Sequence, residues 1–154
     1  AQAGITMTSE NPDFVVVGET PSYDYESIVT ASILVSNGAR LVATNSDVSA
    51  PFEGGIRPSC GALVAPIEEA TGKKAYFVGK PNPLMMRTGL QLLGVHSSEA
   101  AIVGDRMDTD VIAGIETGLD TCLVLSGVTS EEDLASFPYR PRLIAAGVGD
   151  IVPA

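Results

Sequence analysis

The chain has 154 residues, 45% of them hydrophobic, and 19 acidic against nine basic side chains give a net charge of −10. No basic cluster exceeds Lys73-Lys74, which excludes a surface that tracks nucleic-acid phosphates. No apolar run reaches the roughly 18 residues of a membrane span. A single histidine, His96, and the absence of tryptophan exclude a multi-histidine zinc centre. Cys60 and Cys122 lack CxxC spacing and read as buried thiols of a reducing, cytoplasmic compartment. The first residues show no basic stretch followed by an apolar one, so no secretory leader is expected in them.

In chain order, the first predicted strand is 14–18, FVVVG, followed by a helix over 24–37 that stops at Gly38. A second strand, 41–45, runs into SDVSAPFEGGIRP at 46–58, which reads as a long exposed loop rich in Gly and Pro. A helix over 59–71 carries Leu63 and Ile67 and stops at Gly72. The third strand, 75–79, leads to a helix over 83–93 with Asn82 as N-cap, Pro83 in its first turn and Gly94 as its stop. Met85 and Met86 read there as core filler. A fourth strand, 100–105, precedes a helix over 109–117 that Asp108 would cap. Strands 121–125 and 143–145 flank a short helix after Ser130. Most strands are continuously apolar, as in parallel sheets buried on both faces. The alternation of strand and helix predicts an α/β protein of parallel sheet and crossover helices. A boundary between modules is expected near Thr71-Gly72-Lys73-Lys74.

Ligands of open α/β sheets bind at the C-terminal ends of strands. Lys80 stands just past the third strand in Gly79-Lys80-Pro81-Asn82-Pro83, where the prolines restrict the backbone. That suits a fixed cation facing a phosphate or carboxylate, and a surface lysine in a Pro-rich turn is the alternative. The fourth strand ends in Gly104-Asp105-Arg106-Met107-Asp108-Thr109-Asp110. Three carboxylates so close suit a hard cation such as Mg²⁺, which takes one or two protein carboxylates. Helix capping explains Asp108 and Asp110 as well, but not Asp105, an acid that closes an apolar strand. Thr44-Asn45-Ser46-Asp47 ends the second strand and offers polar contacts or an ordinary turn. Cys60 reads as a packing residue at a helix start, and His96 as exposed.

The strings GKPNP at 79–83, GDRMDTD at 104–110 and VLSGVTS at 124–130 together resemble the haloacid dehalogenase (HAD) superfamily of phosphatases. Within it, NPDFVVVGET at 11–20, NGARLVATNSD at 37–47 and SCGALVAPIEEATG at 59–72 resemble the NagD-type, p-nitrophenyl phosphatase-like subfamily with a large cap. The resemblance implies a Rossmann-like parallel-sheet core, here its C-terminal half over 75–154, and part of an α/β cap over 1–74. It implies that Lys80 holds the phosphoryl group, that Asp105 ligates Mg²⁺, and that Asp110 orients the site. Arg106, Met107, Asp108 and Thr109 match a stretch near bound substrate, and Asn45 and Asp47 a cap segment facing the active site.

One departure is large. The family's nucleophile lies in an Asp-x-Asp motif at the end of an early strand, and none precedes the cap-like region here. The chain therefore resembles the C-terminal part of such an enzyme. Phosphoryl transfer through an aspartyl phosphate needs that carboxylate, so the expectation is a Mg²⁺-dependent phosphomonoester hydrolase that is inactive as this chain alone. Its partners would be the missing N-terminal half and a small phosphorylated metabolite, such as a nucleotide or sugar phosphate. A homo-oligomer is compatible with this reading. The rival readings are a non-catalytic α/β module that binds a cation or phosphate, and a structural partner whose acids are caps.

Overall fold

The computed structural model describes residues 4–151, which form two compact units dividing after Val78. The first unit contains β1 (Phe14–Val17), α1 (Tyr25–Ser36), β2 (Arg40–Ala43), β3 (Ser49–Phe52), β4 (Gly55–Pro58), α2 (Cys60–Thr71) and β5 (Tyr76–Phe77). Strands β1, β2 and β5 form a parallel sheet in that order, with Val16 opposite Val42 and Val42 opposite Tyr76. Asp24 caps α1 by accepting from the Ser27 N–H at 2.7 Å. Val35 of α1 and Cys60, Val64 and Ile67 of α2 pack on Leu41 and Ala43, with Val15, Val17 and Phe77 at the margin. Alternation along the strands sends Phe14, Val16 and Tyr76 to the opposite, exposed face. Because β5 pairs with β2, the division falls after Val78 and not at the predicted 74/75. Of the predicted 75–79 strand, Tyr76 and Phe77 pair in register with β2, and the Val78 N–H donates to the Ala43 carbonyl at 2.9 Å.

The predicted loop over 46–58 is instead an antiparallel hairpin, with β3 on β4 and Phe52 opposite Gly55. Its two-residue turn is Glu53-Gly54, and Gly54 takes φ +84°, a left-handed value that favours glycine. Pro51 and Pro58 disguised the strands. In a two-stranded ribbon both strands are edges, where a proline lacking an N–H is tolerated.

The second unit contains α3 (Pro83–Leu93), β6 (Ala101–Gly104), α4 (Ile112–Thr117), β7 (Asp120–Val124) and β8 (Leu143–Ala145). Its parallel sheet runs β6-β7-β8, so β6 is an edge. Asn82 caps α3 by accepting from the Leu84 N–H, and Gly94 ends the helix at φ +70°. No residue of α3 is buried, and Met85 is 47% exposed, so the Met85-Met86 pair does not fill this core. The core is Met107, Val111, Leu123 and Leu134, with Leu125, Phe137 and Tyr139 against it. Gly114 lets α4 approach the sheet, since a Cβ there would lie 2.5 Å from Ile102 and Thr121 side-chain carbons.

Two further predictions change. The helix over 109–117 is in fact a wide, π-type turn over Met107–Val111 followed by α4. Asp108 does not cap it; its carboxylate pairs with the Arg106 guanidinium. The segment after Ser130 is a 3-10 turn over Glu132–Ser136, which Ser130 and Asp133 brace by mutual hydrogen bonds.

Candidate functional site

The second unit gathers Lys80, Asp105 and Asp110 around the C-terminal end of β6. Asp105 directly follows the strand, and Asp110 returns to it through the wide turn. Each aspartate lies against a glycine. A Cβ on Gly104 would fall 2.2 Å from Asp110 Cγ, and one on Gly127 would fall 2.1 Å from Asp105 Oδ2. Real Cβ atoms never approach so closely, so both carboxylates occupy space that only glycine leaves.

Both oxygens of Asp110 are engaged. Lys80 Nζ donates to Oδ1 at 2.5 Å, and the Arg106 N–H donates to Oδ2 at 3.1 Å. The Asp110 side chain is 4% exposed and that of Lys80 is 37% exposed. Asp110 is thus a buried anchor and Lys80 a half-exposed cation held by it. Charge-assisted bonds of this kind are about twice as strong as neutral ones. The Lys80–Pro81 peptide is cis.

Asp105 is held differently. Its Oδ2 accepts from the Val128 N–H at 2.8 Å and its carbonyl from the Thr129 N–H at 3.0 Å. Oδ1 takes no hydrogen bond among the described residues, and the residue is half-buried. One carboxylate oxygen tied to the protein and one left over is a donor set that fits a hard cation such as Mg²⁺, which keeps water and substrate oxygens as its other ligands. Among the described residues, no group of three His, Cys, Asp or Glu side chains is arranged to hold a metal.

The other predicted site residues are distributed as follows. Arg106 pairs with Asp108 through Nε at 3.1 Å and Nη2 at 2.9 Å, at the surface end of the turn. Met107 is fully buried in the core cluster, and its carbonyl accepts from Tyr139 Oη at 3.1 Å. Thr109 is also buried, and its Oγ1 has no partner among the described residues. Asn45 and Asp47 belong to the first unit, where Asn45 Nδ2 donates to Asp47 Oδ2 at 2.9 Å. There the Asp47 carbonyl accepts from the Gly61 N–H at 2.8 Å, which ties the end of β2 to the start of α2. His96 is exposed and caps a short 3-10 turn, and Cys60 and Cys122 are free and buried.

Residue-by-residue reading missed two groups. Thr129, buried, accepts from the Met107 N–H at 3.2 Å and braces the turn. Glu19 accepts from Ser59 Oγ at 2.8 Å and pairs with Arg57 at 2.9 Å, in the first unit. Thr129 lies in the VLSGVTS string, which was a signal of resemblance without a role. Glu19 carried no local signal, because its partners are about 40 residues away.

The HAD-hydrolase-like family matches residues 77–151. The ribonucleotide monophosphatase NagD of Escherichia coli (strain K12) is 48% identical over 150 residues, 97% of this chain and 59% of the relative. The dihydroxyacetone phosphatase of Corynebacterium glutamicum (strain R) is 46% identical over 149 residues, 97% of this chain and 54% of the relative. The crystal structure of a 4-nitrophenylphosphatase from Thermotoga maritima superposes with a TM-score of 0.90 at 37% identity, covering 97% of this chain and 57% of that one. The chain thus spans 54–59% of the length of these relatives. Family match, sequence identity and fold coincide: residues 77–151 belong to the HAD-like hydrolases, and the chain as a whole is similar to the NagD-type phosphatases.

Proposed function

We propose that this chain is the part of a Mg²⁺-dependent phosphomonoester hydrolase that holds the phosphoryl group and one metal carboxylate. The observation that carries the reading is Lys80, an ammonium fixed on the buried Asp110 at 2.5 Å beside the end of β6. A lysine so held presents N–H donors to phosphoryl oxygens and does not need to reorganise when charge develops on them. Asp105 would hold Mg²⁺ through the oxygen that Val128 does not engage. The ion would neutralise charge on the phosphoryl group. Asp110 keeps Lys80 in place, and the backbone of 106–109 borders the substrate.

In hydrolysis the ester P–O bond breaks, the alcohol leaves with a proton, and water supplies the new P–O bond. The carboxylate nucleophile and the leaving-group acid are assigned to the length that the relatives carry beyond this match, so the chain alone is proposed to be inactive. The first unit is proposed as part of a cap, with Asn45 and Asp47 toward the substrate, a small phosphate ester. The names of two relatives, a ribonucleotide monophosphatase and a dihydroxyacetone phosphatase, support that class. A cytoplasmic setting is part of the proposal, supported by the two free, buried thiols.

The test uses p-nitrophenyl phosphate and Mg²⁺ with this chain and with a longer protein that includes it. Activity in the longer protein, lost on Lys80→Ala and on Asp105→Asn, is the expected result. Unchanged activity in Asp105→Asn would remove the metal assignment, and unchanged activity in Lys80→Ala would remove the phosphoryl site.

A further inference from the structure

We infer that the strap Gly127–Thr129 decides which oxygen of Asp105 can meet a cation, with Thr129 as its positioning residue. The inference rests on the reading of Asp105 as the metal carboxylate. It starts from Gly127. A Cβ there would lie 2.1 Å from Asp105 Oδ2 and 2.4 Å from Asp105 Cβ. The oxygen could swing aside, but Cβ is fixed by the backbone, so only glycine lets the strap come this close. The approach brings the Val128 N–H onto Oδ2 at 2.8 Å and leaves Oδ1 as the oxygen for a ligand.

Thr129 then clamps the backbone on both sides of Arg106. Its N–H donates to the Asp105 carbonyl at 3.0 Å, and its Oγ1 accepts from the Met107 N–H at 3.2 Å. The residue between, Arg106, is thereby held with its own N–H on Asp110 Oδ2 at 3.1 Å. The Thr129 hydroxyl thus holds one side of Arg106 and its backbone N–H the other, which fixes the backbone between the two carboxylates. Groups that orient a metal carboxylate in this way change metal affinity by about ten- to hundredfold when removed. Thr129→Val keeps the shape and deletes the acceptor, Thr129→Ser keeps the acceptor, and Gly127→Ala drives a methyl group into Asp105.

The experiment is NMR of the ¹⁵N-labelled chain of 154 residues, titrated with Mn²⁺ as a paramagnetic probe, together with amide exchange at Arg106 and Met107. Mn²⁺ is expected to broaden amides 104–106 and 127–129 first. The concentration needed should rise about tenfold or more in Thr129→Val and Gly127→Ala and stay at the wild-type level in Thr129→Ser. Exchange at Arg106 and Met107 should quicken in Thr129→Val, with β1 and β2 amides unchanged. Thr129→Ala repeats the deletion if Thr129→Val does not fold. Wild-type broadening and exchange in the acceptor-free variant would overturn the inference. If Mn²⁺ broadens nothing near Asp105 in the wild type, the metal reading fails; the clamp on residue 106 is then decided by exchange alone, and unchanged exchange overturns it as well.

Discussion

Replacing Asp110 by Asn tests whether the buried carboxylate organises the site. The substitution keeps the shape and the packing on Gly104 but removes the charge. The carboxylate accepts two bonds, from Lys80 Nζ and the Arg106 N–H, and its side chain is 4% exposed. An amide offers one oxygen, so one donor keeps a partner and the other meets an NH₂ group. A bond to a charged group contributes about 1.5–3 kcal/mol. Lys80 is 37% exposed and regains water when released, which lowers its share. The expected loss is about 2 kcal/mol, or about 4–8 °C in Tm for a chain of this size. The assay is urea denaturation by circular dichroism, with hydrogen exchange of peptides spanning 101–124 to localise the loss to the second unit. Adding Lys80→Met completes a double-mutant cycle. The reasoning is refuted if Asp110→Asn stays within about 0.5 kcal/mol of wild type and the coupling to Lys80 is as small.

Gly61→Ala should destabilise the first unit by about 1–3 kcal/mol or more, because the new Cβ would lie 2.4 Å from the Ser46 carbonyl oxygen, which is backbone; thermal melts decide it. Ile67→Ala, at 2% exposure in the core of that unit, should cost about 2–5 kcal/mol by the same assay. Burial pushes the Glu68 carboxyl up, but the Ala75 N–H and the Lys74 ammonium outweigh it and hold it below the ordinary glutamate range. A carboxyl lowered on folding contributes its full stability above the unfolded value of about 4.3 and loses it as pH falls through the folded value. Urea midpoints measured from pH 6 downward should therefore drop in that acid window, and Glu68→Gln should flatten the drop. Finally, β6 is a sheet edge with Val103 44% exposed, so concentration-dependent self-association is expected of this chain and should weaken in Val103→Lys by analytical ultracentrifugation.

Much of the architecture is legible locally. Strands β1, β2, β6, β7 and β8 coincide with short apolar runs, although the apolar side chains of β1, β6 and β8 are in part exposed and the expected burial on both faces is not seen. Helix ends at Gly72, Gly94 and Gly118 were readable because the left-handed stop favours glycine, and each takes φ between 67° and 73°. The hairpin over Ser49–Pro58 was not legible, since two prolines hid its strands. The turn after Asp105 is not legible either, because Asp108 beside a helical pattern looks like a cap, whereas its carboxylate is taken by Arg106 two residues away.

For the candidate site, residue types at strand ends brought out Lys80, Asp105 and Asp110 without any coordinates. Their chemistry and order along the chain are properties of the sequence, as is the family resemblance. The division of labour between the two aspartates is not. Asp110 is buried with both oxygens occupied and Asp105 is left with one oxygen over, because Gly104 lets Asp110 fold back onto the end of its own strand, where the distant Lys80 meets it, and Gly127 brings a distant segment onto Asp105. Thr129 reaches the Met107 N–H across 22 residues, and no local pattern encodes that contact. Sequence by itself determined which groups could do the chemistry; only the packing of β6, the wide turn and the 127–129 strap decided which oxygen each group has left to offer.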